Sequence, residues 1–193
     1  MQILLETERL ILRQFTEDDV DNLIELNSDP DVVRFTADRN VDRQVIRTQT
    51  LPQWFSYYET YQGYGVWAAI EKSSQAFIGW FIFRPAVHAA YFDPALADPN
   101  DIELGYRLRK AAWGKGYATE GAKALIRKGF AELGAQRIVA PALAANTASI
   151  RVLEKSGLQL QAQFIDPKSG LEVVLYTLSQ PIAGSGMNSS LAK

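Results

Sequence analysis

The chain has 193 residues, which suits one domain able to bury its own core. Hydrophobic residues make up 47% and charged residues 22%, and a formal net charge of −2 comes from 20 basic and 22 acidic side chains. That balance fits an ordinary soluble globular protein and offers no charge excess toward nucleic acid or an anionic membrane.

Cysteine is absent, which excludes disulfides, thiolate zinc sites and an acyl-cysteine intermediate. His88 is the only histidine, so a multi-histidine metal site or a histidine-based triad lacks a partner, and no metal is expected. The opening segment Met1–Glu6 has no basic start and no apolar run of signal-peptide length. No stretch approaches about 18 uninterrupted apolar residues. A cytoplasmic protein without a membrane span is the expectation.

In chain order, Arg9 to Phe15 reads as a strand with Leu10 and Leu12 on one face and Ile11 on the other. Thr16 then suits an N-cap, with Asp18 and Asp19 at the positive end of a helix dipole. Val20, Leu23, Ile24 and Asn27 follow at helical spacing, and Asp29-Pro30 stops that helix. Residues 41–62 read as helical with an interruption near Pro52. Val66–Ile70 and Ala76–Arg84 read as antiparallel strands around the turn 72–75.

Residues 85–100 hold three of the eight prolines and little periodicity, the profile of a long loop containing His88, Tyr91 and Phe92. Asp101–Leu108 reads as a strand. Residues 117–133 give the clearest helix, with Ala118, Ala122, Leu125, Ile126, Phe130 and Leu133 along one stripe and Gly134 as its stop. Gln136–Ala142 reads as a strand, and Asn146 caps a short helix ended by Gly157. Strands follow at Leu158–Ile165 and Leu171–Ser179. The order β-α-α-β-β-β-α-β-α-β-β predicts an α+β fold with a mostly antiparallel mixed sheet and helices on its faces. Residues 1–180 read as one domain and 181–193 as a flexible tail poor in apolar residues.

The segment Trp113-Gly114-Lys115-Gly116-Tyr117-Ala118-Thr119-Glu120 joins a strand to the strongest helix. Its glycines can take positive φ and admit a ligand close to the main chain, and amides converging on a helix N-terminus bind phosphate. By itself a G-x-G is equally a tight structural turn. The P-loop spacing is absent, and Thr119 stands where a Rossmann fingerprint needs its third glycine.

Three ordered blocks carry a resemblance. They are Glu6-Thr7-Glu8-Arg9-Leu10-Ile11-Leu12-Arg13, then Glu103-Leu104-Gly105-Tyr106-Arg107-Leu108 with Trp113–Glu120, and Asn146-Thr147-Ala148-Ser149-Ile150-Arg151-Val152-Leu153-Glu154-Lys155-Ser156-Gly157-Leu158. Over about residues 5–178 the chain resembles the GNAT acetyltransferase superfamily, and most closely its RimJ/RimL-type ribosomal-protein N-acetyltransferases. The resemblance implies a sheet of six to seven strands splayed around the cofactor site, with about four helices. It implies acetyl-CoA as co-substrate, its pyrophosphate on the amides of Gly114, Lys115, Gly116, Tyr117, Ala118 and Thr119. Its pantetheine arm would pair with the main chain of Tyr106, Arg107 and Leu108 and meet Asn146. Trp113 departs from the Gln or Arg common in the superfamily.

The implied chemistry is direct transfer of acetyl to a neutral amine, with an N–H near Leu108 as the oxyanion donor. Glu103 is the candidate general base, or else a carboxylate that organises the acceptor site. Many relatives protonate the departing thiolate with a tyrosine on the last helix, and 150–155 has none. Ser149 is the family-matched hydroxyl there, either as that acid or as a CoA contact. Tyr57, Tyr58, Tyr61, Tyr64 and Trp67 read first as core, with one or two available to the acceptor cleft. Tyr91 and Phe92 suit the cleft or a homodimer contact. The implied acceptor is a protein N-terminal α-amine, with a small amine or amino-sugar as alternative and a non-catalytic acyl-CoA sensor as a second.

Overall fold

The computed structural model describes residues 2–36, 39–89, 91 and 93–180. The expected tail 181–193 and Phe92 lie outside that set. One eight-stranded sheet runs through the molecule in the order β1-β2-β3-β4-β5-β6-β8-β7. The strands are β1 Ile3–Glu6, β2 Leu10–Gln14, β3 Gly65–Glu71, β4 Phe77–Pro85, β5 Ile102–Leu108, β6 Arg137–Leu143, β7 Gln159–Ile165 and β8 Glu172–Ser179. Every neighbouring pair is antiparallel except β5 and β6. The helices are α1 Val20–Ser28, α2 Arg43–Val45, α3 Leu51–Thr60, α4 Tyr117–Ala131 and α5 Thr147–Lys155.

Two details depart from the sequence reading. The sheet has eight strands because Ile3–Glu6 pairs with β2 across an irregular register. Its burial is too partial to leave a strand signature in the sequence. The helical run 43–60 is continuous, and its irregularity is a π turn at Ile46–Thr50, ahead of Pro52 rather than at it. Pro52 sits in the first turn of α3. There its missing N–H costs least, and the widened turn before it takes up the ring.

The sheet separates two apolar layers. On one face, Leu10, Leu12, Phe81, Phe83, Leu104 and Leu108 pack with Leu125 and Ile126 of α4 and Leu153 of α5. On the other, Phe15, Val66, Ala68 and Trp80 pack with Leu23 and Leu26 of α1 and Leu51, Trp54 and Tyr57 of α3. Strand β3 is buried from Gly65 to Ile70 because both layers cover it. Helix α4 lies close on β4. A Cβ built on Gly121 would come 2.3 Å from the Phe81 ring, and one on Gly129 2.6 Å from Phe83. Its glycines therefore set how closely α4 approaches β4. Among the described residues no helix is long and apolar enough to cross a membrane.

Candidate active site

Strand β5 pairs with β4 along its whole length, from Gly79↔Leu108 to Pro85↔Ile102. On its other side it meets β6 at only two positions, Ile102↔Ile138 and Glu103↔Val139. Beyond Glu103 the two strands part. The N–H of Arg109 donates to Ile78 O at 2.8 Å and that of Ala86 to Asp101 O at 2.7 Å, which fixes the alternation of the β4–β5 ladder. Odd-numbered residues of β5 turn their main-chain groups to β4, and Leu104, Tyr106 and Leu108 turn theirs into the opening. Of the residues expected to meet a pantetheine arm, Tyr106 turns both main-chain groups into the opening and Leu108 its N–H, the Leu108 carbonyl being taken by the Trp113 indole. Arg107 pairs with Trp80 of β4, and its side chain is buried beside Asn27 Oδ1 at 2.6 Å and the Trp80 ring at 4.9 Å.

The glycine segment follows at once. The Trp113 indole N–H donates to Leu108 O at 2.8 Å and closes the 3-10 turn Lys110–Ala112. Gly114 and Gly116 hold φ of 73° and 85°, in the left-handed region that favours glycine. Nothing lies within 4 Å of a Cβ built on Gly114, so that face is open. The first helical bond of α4 runs from Glu120 N–H to Gly116 O at 3.0 Å. The N–H groups of Tyr117, Ala118 and Thr119 thus precede the helical ladder and point out of its N-terminus, the arrangement that receives a phosphate.

The loop is pinned by the β1–β2 turn. Arg9 donates through Nε to Glu120 Oε2 at 2.7 Å, through NH1 to Lys115 O at 2.9 Å, and through its main-chain N–H to Glu120 Oε1 at 3.0 Å. Its guanidinium also lies 4.6 Å from the Tyr117 ring centre. Thr7 adds a hydroxyl donor to Glu120 Oε1 at 2.5 Å. Burial would raise the Glu120 carboxyl, but the donors on Thr7 and Arg9 outweigh it and hold it below the usual carboxylate range.

At the point where β5 and β6 part, Glu103 is buried on the α1/α3 face. Its Oε2 accepts from Arg84 Nε at 2.8 Å, and Arg84 NH1 donates to Tyr57 Oη at 3.0 Å. Glu103 Oε1 carries no such bond among the described residues. His88, read from the sequence only as part of a long loop, extends this chain of contacts. Its Nε2 lies 3.0 Å from Tyr61 Oη, and its ring is 5.2 Å from that of Tyr57. The tyrosines of the aromatic cluster divide by face. Tyr57 and Tyr61 join the Glu103 side. Tyr58 donates to Val66 O, and Tyr64 donates to Leu133 O at 2.8 Å and stacks on Phe83 at 5.6 Å. Tyr91 is half-buried on the loop, with burial and then the nearby Asp166 raising its phenol.

On the opposite face, α5 begins beside the opening. Asn146 caps it through Oδ1, which accepts Ser149 N–H at 3.2 Å; its side-chain amide N–H groups have no partner among the described residues. Ser149, in the first turn, meets Tyr106 of β5. Sequence reasoning missed Arg84 and Arg9. Arg84 could have been found only from the cross-strand register that places it opposite Glu103. Arg9 had a weaker signal, its place in the first of the three blocks.

An open strand edge of alternating main-chain donors and acceptors, ending at a helix N-terminus behind two left-handed glycines, fits acetyl-CoA. The strand would take the amide-bearing arm and the helix the pyrophosphate.

Comparison with known proteins agrees with this geometry. Residues 9–159 match the model of the acetyltransferase (GNAT) domain. The chain is 28% identical over 175 residues to the FsC-acetyl coenzyme A-N(2)-transacetylase of Aspergillus fumigatus, covering 87% of this chain and 72% of that one. The fold matches RimL, a ribosomal L7/L12 alpha-N-protein acetyltransferase solved with coenzyme A. That match has a TM-score of 0.75, 16% identity, and coverage of 92% of this chain and 98% of that one. It equally matches the aminoglycoside acetyltransferase AAC(6')-Ib solved with coenzyme A. Here the TM-score is 0.71 and the identity 21%, with coverage of 89% and 95%. From the open edge of β5, the amide cradle at α4 and a domain match over most of its length, the chain belongs to the GNAT acetyltransferase family and is an acetyl-CoA-dependent N-acetyltransferase.

Proposed function

We propose that the chain acetylates the α-amine at the N-terminus of a protein, with Glu103 as general base. The observation that carries the reading is Glu103 at the end of the β5–β6 ladder. One carboxylate oxygen is fixed by Arg84 and the other has no partner among the described residues. The free Oε1 can take a proton from the attacking amine, directly or through one water. When bound, acetyl-CoA supplies the activated acyl group. The Leu108 N–H faces the opening as an oxyanion donor, an effect worth about 3–4 kcal/mol. Tyr106 and Leu108 main chain, the amides of 117–119 and the Asn146 amide hold the co-substrate, with Gly114, Lys115 and Gly116 shaping the loop.

Two cavities, of about 460 and 420 Å³, lie at Tyr58 and Gln14, away from Glu103. Glu103 is linked through Arg84 to Tyr57 of α3, whose ring meets His88 of the long loop, and a chain end is proposed to enter beside these residues. The similarity to an enzyme named FsC-acetyl coenzyme A-N(2)-transacetylase, and the fold shared with an aminoglycoside acetyltransferase, support a second reading, a small-molecule amine. An acceptor screen that detects CoA release, run with peptides, polyamines and aminoglycosides, separates them. Turnover confined to aminoglycosides or polyamines would overturn the peptide reading.

A further inference from the structure

The last helix, α5, carries no tyrosine, yet a phenol stands at its first turn. Tyr106 reaches across from β5 so that its hydroxyl lies 3.0 Å from Ser149 Oγ and 3.0 Å from Ser149 O. The ring packs against Phe81 of β4 at 6.0 Å, which holds the phenol on the α4/α5 face of the sheet. Ser149 is itself held by the Asn146 cap, so its hydroxyl turns about a fixed Cβ. Burial pushes the Tyr106 phenol up to about 12, and the contact with Ser149 offsets only part of that. Tyr106 therefore keeps its proton throughout the neutral range.

We propose that Tyr106 is a positioning residue that aims the Ser149 hydroxyl at the sulfur of the departing thiolate, so that a strand phenol serves where the last helix has no tyrosine. The proposal rests on the reading of the opening as the acetyl-CoA site. At rest, Tyr106 O–H donates to Ser149 O, and Ser149 Oγ–H has Tyr106 Oη as its acceptor. When the acetyl carbon–sulfur bond breaks, its electron pair goes to sulfur. Ser149 Oγ–H then turns to donate to that sulfur, and Tyr106 O–H swings from Ser149 O to Ser149 Oγ, a second acceptor at the same distance. Both protons stay on their oxygens. The thiolate takes its proton from water on release. The N–H groups of Thr147 and Ala148, which precede the first helical bond from Ile150 to Asn146 O at 3.1 Å, add to the field that favours an anion there.

The chain contains no cysteine, so the only thiolate in a protein–CoA mixture is that of CoA, and its ultraviolet absorbance is read as the difference from the protein titrated alone. Titrating CoA bound to the protein should give a thiol value below that of free CoA. Tyr106→Phe and Ser149→Ala should each raise it by about 0.5–1 unit, the size of one neutral hydrogen bond. The same variants should lower kcat by about five- to tenfold with an unchanged KM for acetyl-CoA. The phenylalanine keeps the packing on Phe81. Should it fail to fold, Ser149→Ala gives the same reading from the helix side. An unchanged thiol titration in the variants overturns the proposal, as does a rise confined to KM, which would make Tyr106 a structural strut. Failure of the unaltered protein to bind CoA would instead overturn the reading of the opening on which the proposal stands.

Discussion

Arg84 Nε and Glu103 Oε2 lie 2.8 Å apart with only 12% and 10% of their side chains exposed. A buried pair of this kind is destabilising to break, because the remaining charge loses its partner. Glu103→Gln should lower stability by about 1–3 kcal/mol, less than full removal, since the amide oxygen still accepts from Arg84. Turnover should fall about 100-fold, the ordinary contribution of a general base, while acetyl-CoA affinity stays the same. Urea unfolding and steady-state kinetics measure the two effects separately. Unchanged turnover would remove Glu103 as the base and leave it as the organiser of the acceptor side.

The two loop glycines should behave differently. Gly116 has a φ of 85° and, once given a Cβ, would sit 3.4 Å from an Arg9 nitrogen. Gly116→Val forces a β-branched residue into the left-handed region. Acetyl-CoA affinity should drop by about tenfold or more, from a strain of roughly 1–2 kcal/mol placed on the phosphate-binding turn. Gly114 has the same backbone but open space around it. Asparagine tolerates that conformation, so Gly114→Asn should keep binding that Gly114→Val loses. Calorimetry with CoA distinguishes them. Equal loss in the asparagine and valine variants would show that backbone conformation is not what the loop requires.

Arg9 and Glu120 are far apart in sequence but act on one loop. The Arg9 side chain is 42% exposed, so its ion pair is partly screened and of modest strength. Its bond to Lys115 O acts on geometry. Arg9→Ala should raise the KM for acetyl-CoA by several-fold and leave kcat near its original value. Glu120→Gln should do the same, and the double variant should be no worse than the single ones, because both remove the same pin. Additive losses would mean that the two residues support the site independently.

Asp19 makes the chain acid-sensitive. Burial alone would raise its carboxyl, but hydrogen bonds from Arg13, the Thr16 main chain and Asn22 hold it below the ordinary range. Arg13 NH1 and NH2 contact its two oxygens at 2.7 and 2.8 Å. A carboxyl held lower when folded than when unfolded stabilises the fold above the unfolded value. That stability is lost as pH falls through the folded one. Unfolding free energy should be flat from neutral pH to about pH 5 and decline below about pH 4. Asp19→Asn should be less stable at neutral pH and decline less steeply in acid. Denaturant titrations across that range test it, and an unchanged slope would reject the assignment.

Much of this was legible in the chain itself. Helix α4 showed its stripe, because apolar residues at helical spacing announce a half-buried helix whatever it packs on. Asn146 is observed as the cap it suggested, since capping is local. The glycine pair at 114 and 116 is in the left-handed region that gave the segment its phosphate reading. The pairings that tune the site were not legible. Arg84 meets Glu103 only through the β4–β5 register, and Arg9 meets Glu120 only once β2 and α4 are packed. His88 looked incidental because nothing near it in sequence hints that α3 brings Tyr57 and Tyr61 against it. Local physics writes itself into composition and spacing, whereas contacts between distant segments depend on the completed sheet.

The two-position ladder between β5 and β6 has a consequence for how the protein can change. The main-chain groups free to recognise a substrate arm are the ones a continuous sheet would have consumed. Binding capacity and sheet completeness therefore draw on one finite set of donors and acceptors. A substitution that drew Ala140–Leu143 against Leu104–Leu108 would gain stability by erasing the edge proposed to receive acetyl-CoA. Thermal hardening of this molecule has to be sought in α1, α3 and the outer strands, away from the seam at Glu103 and Val139.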